Sequence, residues 1–142
     1  MAVSVSQRSI RLQYAALPYR TSDVGLEVLL VTTLDSRHWI IPKGWPMRGR
    51  TPAVAAAREA FEEAGVRGAI SPAPVGRFTY DKVDRRGLSQ RIEVEVFPLR
   101  VTRQHKDWPE RRKRTTKWMP CEDAADLVEE ESLKTLLEAF SV

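Results

Sequence analysis

One helix is marked at both ends in this sequence, and it constrains how the rest of the chain can fold. Thr51 is a favourable N-cap residue, Pro52 suits the first helical position, and Gly65 suits the left-handed residue that ends a helix. Residues 53–64 are rich in alanine and contain neither glycine nor proline. The pattern therefore predicts a helix that packs one face against another element.

The charges at the end of this helix are unfavourable. Glu59, Glu62 and Glu63 lie in its last turns, where the helix dipole is negative, and like charges three or four residues apart repel each other. A helical projection predicts that these glutamates lie together, opposite the core-facing residues Val54, Ala57, Phe61 and Ala64. Three carboxylates on one surface favour a hard cation such as Mg²⁺ or Mn²⁺; a solvated helix face is the alternative.

The length and composition are typical of one globular domain. With 142 residues, 42% hydrophobic and 30% charged, the chain is predicted to form a single domain over residues 1–142. Its longest apolar runs are strand-length, and its start lacks the pattern of a signal peptide, so we expect neither a membrane span nor secretion. A single cysteine, Cys121, excludes an internal disulfide and favours a cytoplasmic location.

Strand and helix patterns alternate along the chain. Strands are predicted over residues 11–20, 26–34, 38–42, 75–83, 91–101 and 114–120, and short helices over residues 122–128 and 133–140. Trp39 and Trp118 fall within strand patterns, so we expect both in the core. The fold class is therefore α+β, with a sheet flanked by helices.

The charged residues are unevenly distributed. Residues 100–117 hold eight basic residues, whereas residues 122–138 hold seven acidic ones, within a net charge of +4. A concentrated basic segment indicates a polyanionic partner, which could be nucleic acid, a membrane surface or a phosphate-rich small molecule. A solvated basic loop is the alternative for charge alone.

The segment from residue 44 to residue 66, GWPMRGRTPAVAAAREAFEEAGV, resembles the Nudix box, G-x5-E-x7-R-E-U-x-E-E-x-G-U, where U is apolar. The specified positions that fit are Gly44, Arg58, Glu59, Ala60, Glu62, Glu63, Gly65 and Val66. Arg50 stands where the pattern has its first glutamate, so it either contacts substrate phosphate or pairs with a box acid.

The resemblance implies the Nudix fold, an α/β/α sandwich with a mixed β-sheet, and hydrolysis of a pyrophosphate bond with Mg²⁺ or Mn²⁺ as cofactor. By position, Glu59 and Glu63 are the expected metal ligands, joined by the backbone carbonyl of Gly44. Glu62 matches a further ligand or the general base, and we assign it, together with Arg58, to catalysis. Glu93 and Glu95 are less favoured candidates for an acid from outside the box.

Further blocks resemble the diphosphoinositol polyphosphate phosphohydrolase branch of that family, including VLLV, HWIIPKG, DWPERRKRTTKW and EDA between about residues 11 and 128. The residues carried over to the substrate phosphates are Arg11, Arg20, Thr33, Arg91 and Arg114. Lys43 departs from the branch, which has glycine there, and we assign it to substrate binding because Pro-Lys-Gly occurs in several nucleotide-polyphosphate Nudix enzymes. Trp45, in the loop beside Pro46, could stack on a base.

The sequence therefore predicts a metal-dependent pyrophosphohydrolase of a highly phosphorylated small molecule, such as a diphosphoinositol polyphosphate or a diadenosine polyphosphate. The alternatives are a nucleoside triphosphate or RNA 5′-end pyrophosphohydrolase, or a non-catalytic basic module that binds RNA or a protein partner. We expect a monomer or homodimer without membrane association, and no nucleic-acid partner other than an RNA 5′ end.

Overall fold

The computed structural model describes residues 11–142, in which eight strands form one mixed β-sheet. The expectation about a signal peptide concerns residues outside this range. Between residues 11 and 142, no helix is long and apolar enough to cross a membrane.

The elements follow the predicted order. The strands are β1 (Arg11–Ser22), β2 (Gly25–Thr32), β3 (Trp39–Ile40), β4 (Lys43–Gly44), β5 (Val66–Ile70), β6 (Gly76–Val83), β7 (Ser89–Gln104) and β8 (Thr116–Pro120). The helices are α1 (Pro52–Ala64), α2 (Cys121–Leu127) and α3 (Glu131–Ala139). Every predicted element is confirmed with small shifts at its ends. Strands β4 and β5 were not predicted, because one has two residues and the other lacks an alternating apolar pattern.

Strands β1 and β7 run parallel at the centre of the sheet, in register from Arg11 beside Ile92 to Tyr19 beside Arg100. The other edge of β1 pairs with β4 and, near its end, with β2. Strand β2 also pairs with β3 and β8, and β7 also pairs with β5 and β6. Because β4 and β2 share one edge of β1, the segment that joins β2 to β4 is held beside the middle of the sheet.

Helices cover both faces of this sheet. Ala15 and Ala16 point to opposite faces of β1, and both are fully buried. A Cβ atom on Gly44 would meet Glu59 of α1, whereas a Cβ atom on Gly76 would meet Leu136 of α3. The pairing register places these two glycines on opposite faces. Helices α1 and α3 therefore sandwich the sheet, as the α/β/α prediction requires.

The predicted ends of α1 are confirmed. The Oγ1 atom of Thr51 accepts a hydrogen bond from the backbone N–H of Val54 at 3.3 Å, and Pro52 begins the helix. Gly65 ends it in the left-handed conformation, with φ of 73°. The helix therefore has the length and the boundaries that its capping residues specify.

The predicted orientation of α1 is wrong. Of the residues predicted to face the core, Ala64 is buried, Ala57 and Phe61 are half-buried and Val54 is 43% exposed. The other buried residues of the helix are Ala53, Ala55, Ala56, Ala60 and Glu63. Alanine side chains let the helix approach the sheet closely, so the stripe of small residues faces inward rather than the larger Val54 and Phe61. The three glutamates consequently do not share one solvent-facing surface, and Glu63 lies on the buried side.

The tryptophans predicted in the core lie at its edge. Trp39 and Trp118 are half-buried and pack against the core. The indole of Trp118 is also covered by the guanidinium of Arg20, 4.2 Å from the ring centroid. Cys121 is a free, half-buried thiol at the start of α2.

Gly49 and Gly65 have similar φ angles but different space for a side chain. Substituting each one therefore distinguishes the cost of backbone strain from the cost of overpacking at the end of α1. Gly65 and Gly49 have φ of 73° and 76°, but only at Gly65 would a Cβ atom overlap a side chain, the indole of Trp108. We expect Gly49→Ala to lower the free energy of unfolding by about 1 kcal/mol. Gly65→Ala should lower it by about 2–4 kcal/mol, since overpacking is added to strain. Equal losses in urea denaturation would contradict this account.

Candidate active site

A glycine in β4 brings the backbone of the sheet against α1. Gly44 pairs with Tyr14 of β1, and a Cβ atom on this glycine would overlap the carboxylate of Glu59. Any larger residue here would require that carboxylate to move. The backbone of Gly44 and the side chain of Glu59 are therefore in direct contact at the base of the site.

Glu63 is the buried acid of α1, with 5% of its surface exposed. Its carboxylate lies 3.7 Å from Nη2 of Arg114, and its backbone carbonyl accepts a hydrogen bond from the indole N–H of Trp108 at 3.2 Å. Glu63 is thus held by partners from the loop between β7 and β8, through both its side chain and its backbone.

Glu62 and Arg58 form a separate pair one helical turn apart. The Nε atom of Arg58 donates to the Glu62 carboxylate at 2.7 Å, and 30% of the Glu62 side chain is exposed. The Arg58 guanidinium also lies over the ring of Phe61, at 5.6 Å from its centroid. Glu62 is therefore oriented by Arg58 on the more open side of the helix.

Burial changes the acidity of the other two glutamates. Burial raises the pKa of Glu63 to about 8; the guanidinium of Arg114 opposes this rise, and the charge of Glu59 adds to it. Burial also raises the pKa of Glu59 to about 7, with repulsion from Glu62 as the next cause. Both carboxyl groups therefore retain protons near neutral pH unless another cation stabilises their charge.

Glu59, Glu63 and Gly44 fit part of the coordination shell of a hard cation. The carboxyl groups of Glu59 and Glu63 meet, the backbone of Gly44 lies against the Glu59 carboxyl group, and such ions prefer oxygen ligands. No group of three Asp, Glu, His or Cys side chains in residues 11–142 is arranged to hold a metal ion. A cation here would therefore need water or phosphate oxygens to complete its shell, as Mg²⁺ usually does.

A cavity of about 450 Å³ opens beside Glu63. Its walls come from the loop after β2, from β4, from the end of β6 and from the loop before β8. Its charged residues are three cations and three acids: Lys43, Lys82, Arg114, Asp35, Glu63 and Asp81. Thr33, Ser36, His38 and Tyr80 add polar groups, and Leu34, Ile40 and Val83 add apolar surface. The cavity is therefore nearly balanced in charge and mixed in polarity.

Three of the predicted substrate-binding residues, Thr33, Lys43 and Arg114, line this cavity. The ammonium group of Lys43 lies over the ring of Tyr80, 4.8 Å from its centroid. Burial lowers the pKa of Lys43, although the charge of Glu63 opposes that shift. The Thr33 hydroxyl lies 3.2 Å from that of Ser36. Lys43 is thus a desolvated cation, which strengthens any contact it makes with an anion.

The other three predicted substrate-binding residues are not brought into the cavity. Arg91 pairs with Asp81 at its rim, at 3.5 Å, and Arg11 covers the ring of Trp45 at 4.4 Å. Arg20 pairs with Glu27, which precedes Thr32 by five positions, or about 16 Å of extended strand. Strand β1 thus carries Arg20 away from the cavity, and its contact with substrate stays a prediction.

The remaining sequence candidates also have defined positions. One face of Trp45 is taken by Arg11, which leaves only its other face for a base. Glu93 and Glu95 both pair with Arg77 of β6. Arg50 is exposed, and the ion-paired box acids Glu62 and Glu63 use Arg58 and Arg114 instead.

Two residues of the site were missed in the sequence. Glu110 accepts a hydrogen bond from Nε of Arg114 at 2.6 Å, and its backbone N–H donates to the carbonyl of Glu62 at 2.9 Å. The charge of Glu110 also raises the pKa of both Glu59 and Glu63. Trp108 packs on Gly65 and donates to Glu63. The Asp-Trp-Pro-Glu sequence was the only signal, and nothing in it revealed contact with α1.

Comparison with known proteins supports one family. A model of the NUDIX domain matches residues 12–140. "Nudix hydrolase 12, mitochondrial" of Arabidopsis thaliana is 33% identical over 153 residues, which cover 93% of this chain and 73% of that protein. "Diphosphoinositol polyphosphate phosphohydrolase 3-beta" of Bos taurus is 36% identical over 110 residues, which cover 72% of this chain and 60% of that protein.

A solved structure supports the fold. The Ap4A hydrolase of C. elegans superposes with a TM-score of 0.63 over 91% of this chain and 94% of that one, at 23% identity. At this identity the likeness concerns the fold alone. The match of the domain model over nearly the whole chain, together with the 33% identical relative, shows that the chain belongs to the Nudix hydrolases, enzymes that act on phosphorus-containing anhydrides.

Proposed function

We propose that this chain hydrolyses a phosphoanhydride bond in a highly phosphorylated small molecule, with Mg²⁺ or Mn²⁺ held by Glu59, Glu63 and the carbonyl of Gly44. The observation that carries this proposal is the contact between Glu59 and Glu63, whose pKa values are both raised, where Glu63 lines a cavity together with Lys43 and Arg114. When bound, such a cation neutralises phosphate charge and lowers the pKa of water.

The roles of the protein groups follow from their surroundings. Glu62 is the proposed general base, and Arg58 orients its carboxylate through the 2.7 Å contact. Lys43 and Arg114 are the proposed phosphate ligands, because both are largely buried cations at the cavity wall. Thr33 adds a hydroxyl to the cavity wall, and Arg91 and Arg11 are candidates for contacts outside the cavity.

Two substrate classes are suggested by the names of similar proteins, namely diphosphoinositol polyphosphates and Ap4A, a diadenosine polyphosphate. The first class carries phosphates all around a ring and requires cations on every side. The second carries its charge on one linear chain between two uncharged nucleosides. Apart from the proposed metal ligand Glu63, the cavity contains two acids, Asp35 and Asp81, beside its three cations. Together with its apolar surface, this suits the second arrangement better. We therefore propose a diadenosine polyphosphate as the favoured substrate.

Location and assembly remain predictions. A cytoplasmic location is our expectation from the single Cys121, although a similar plant protein is named as mitochondrial. A monomer or homodimer remains the expected state. The nucleoside triphosphate, RNA 5′-end and non-catalytic alternatives are separated by the following experiment.

A substrate panel tests the proposal directly. With Mg²⁺ or Mn²⁺, we expect turnover of diadenosine tetraphosphate to exceed turnover of a diphosphoinositol polyphosphate, a nucleoside triphosphate and an RNA with a 5′-triphosphate. Chromatography of the released phosphate or nucleotide ranks the compounds by their rate of turnover. If no compound is hydrolysed while RNA binds with a steep salt dependence, the non-catalytic module is correct instead.

Removal of one proposed metal ligand should abolish most activity. Glu63→Gln keeps the shape of the side chain but removes its charge, so we expect kcat to fall by at least about 100-fold. The matched control is Glu138→Gln, which changes an exposed acid of α3 and should leave kcat unchanged. Turnover of the Glu63→Gln variant at the wild-type rate would contradict the ligand assignment.

The raised pKa of Glu63 predicts a pH-dependent stability without metal. Burial raises the pKa of Glu63 from an ordinary 4.5 to about 8 in the folded protein, so the folded state binds the extra proton between these values. Stability from this proton is complete below pH 4.5 and is lost as the pH rises to about 8. In metal-free buffer, the melting temperature of Glu63→Gln should therefore rise relative to wild type from pH 5 to pH 8.

This pH dependence of the melting temperature has a control variant, and added Mg²⁺ should oppose it. Glu138→Gln should follow wild type across this range. Added Mg²⁺ should raise the melting temperature of wild type most at pH 8, since the cation requires ionised carboxylates, and should raise that of Glu63→Gln less. A constant difference between Glu63→Gln and wild type from pH 5 to pH 8 would show that Glu63 does not titrate in this range.

A further inference from the structure

Arg114 directs each of its three guanidinium nitrogens at a different protein acceptor. Its Nε atom donates to Glu110 at 2.6 Å, its Nη1 atom donates to the carbonyl of Thr32 at 2.9 Å, and its Nη2 atom lies 3.7 Å from Glu63. Only 11% of its side chain is exposed. Arg114 also lines the cavity, but in this arrangement its Nη2 atom faces the Glu63 carboxylate rather than a bound anion.

The three contacts of Arg114 differ in strength. The contacts with Glu110 and Thr32 are short hydrogen bonds, and Glu110 is itself fixed by the donation of its backbone N–H to Glu62. The contact with Glu63 is longer than a hydrogen bond and is an electrostatic pair only. The Glu63 contact is therefore the one that can be exchanged while the guanidinium stays in place.

We propose that Arg114 is the internal counter-ion of Glu63 in the metal-free protein, and that a divalent cation displaces it from that carboxylate, which frees Nη2 for a substrate phosphate. This inference rests on the proposed function, because it takes Glu63 as a metal ligand. Glu110 and Thr32 keep the guanidinium at the cavity wall during the exchange.

This exchange couples the binding of the cation to the binding of the substrate phosphate. Before a cation binds, Arg114 offsets part of the charge of Glu63, which is 5% exposed, whenever this carboxyl group is ionised. After it binds, the cation compensates the charge of Glu63. The Nη2 atom of Arg114 can then donate to an anion at the same wall of the cavity. Cation binding therefore increases phosphate affinity, and Arg114 lowers cation affinity when no substrate is present.

Cation affinity without substrate tests this proposal. Arg114→Met keeps most of the side-chain volume and removes the charge, so we expect the Kd for Mn²⁺, measured by electron paramagnetic resonance, to fall about five- to tenfold. Arg112→Met is the matched control, since it removes the same charge from an exposed position two residues earlier. It should change Kd less than about twofold because exposed charges are screened. Arg114→Lys, which retains a cation, should stay close to wild type.

The results that overturn the proposal are distinct from failure of the proposed function. If Arg114→Met binds Mn²⁺ no more tightly than Arg112→Met, Arg114 does not compete for Glu63, whatever the enzyme hydrolyses. If wild type binds no Mn²⁺, both the metal site and the exchange are wrong. If Mn²⁺ affinity behaves as expected but no compound in the panel is hydrolysed, the exchange stands and the proposed activity fails.

A second measurement on wild type covers the case in which Arg114→Met does not fold. In ¹H–¹⁵N spectra of arginine side chains, the Nη2–H signals of Arg114 should shift when Mg²⁺ is added without substrate. The signal of Arg20, whose partner Glu27 is remote from the cavity, should not move. An unchanged Arg114 signal at saturating Mg²⁺ would overturn the exchange.

Discussion

The contact between the end of α1 and the loop between β7 and β8 supports the rest of the site. The last turn of α1 contains no basic residue that could offset its dipole. Backbone and indole N–H groups compensate instead: His105 donates to Gly65, Trp108 to Glu63 and Glu110 to Glu62. These donors satisfy carbonyl groups that a helix end leaves without partners. The same loop also carries Arg114 to Glu63, so a single segment both caps the helix end and supplies a residue of the site.

This arrangement makes three glutamates of one helix chemically different. Glu63 is buried against Arg114, Glu59 lies against the bare backbone of Gly44, and Glu62 is paired with Arg58 on the open side. Burial therefore raises the pKa of the first two, whereas the third remains available for another role. These different surroundings support the division between metal ligands and general base in the proposed mechanism.

Much of the fold was predictable because its signals are local. Thr51, Pro52 and Gly65 specify the ends of α1 through side-chain and backbone geometry within a few residues. The strands with clear apolar patterns were equally visible. Strand β4 was not, because two residues form no pattern and Gly44 becomes a strand residue only by pairing with Tyr14. The inward face of α1 was wrong for a related reason: close packing on the sheet selects small side chains, and the projection weighted hydrophobicity alone.

The sequence by itself determined the family pattern, the position of α1 and the identity of the acids, since these depend on residue type and spacing along the chain. Only the tertiary structure decided which charges meet. It brought Arg114 and Glu110 to Glu63 across about fifty residues of chain, and it left Arg20 at the far part of β1 beside Glu27. An arginine has the same charge in either place, and its effect depends on distance and desolvation, which are properties of the folded chain.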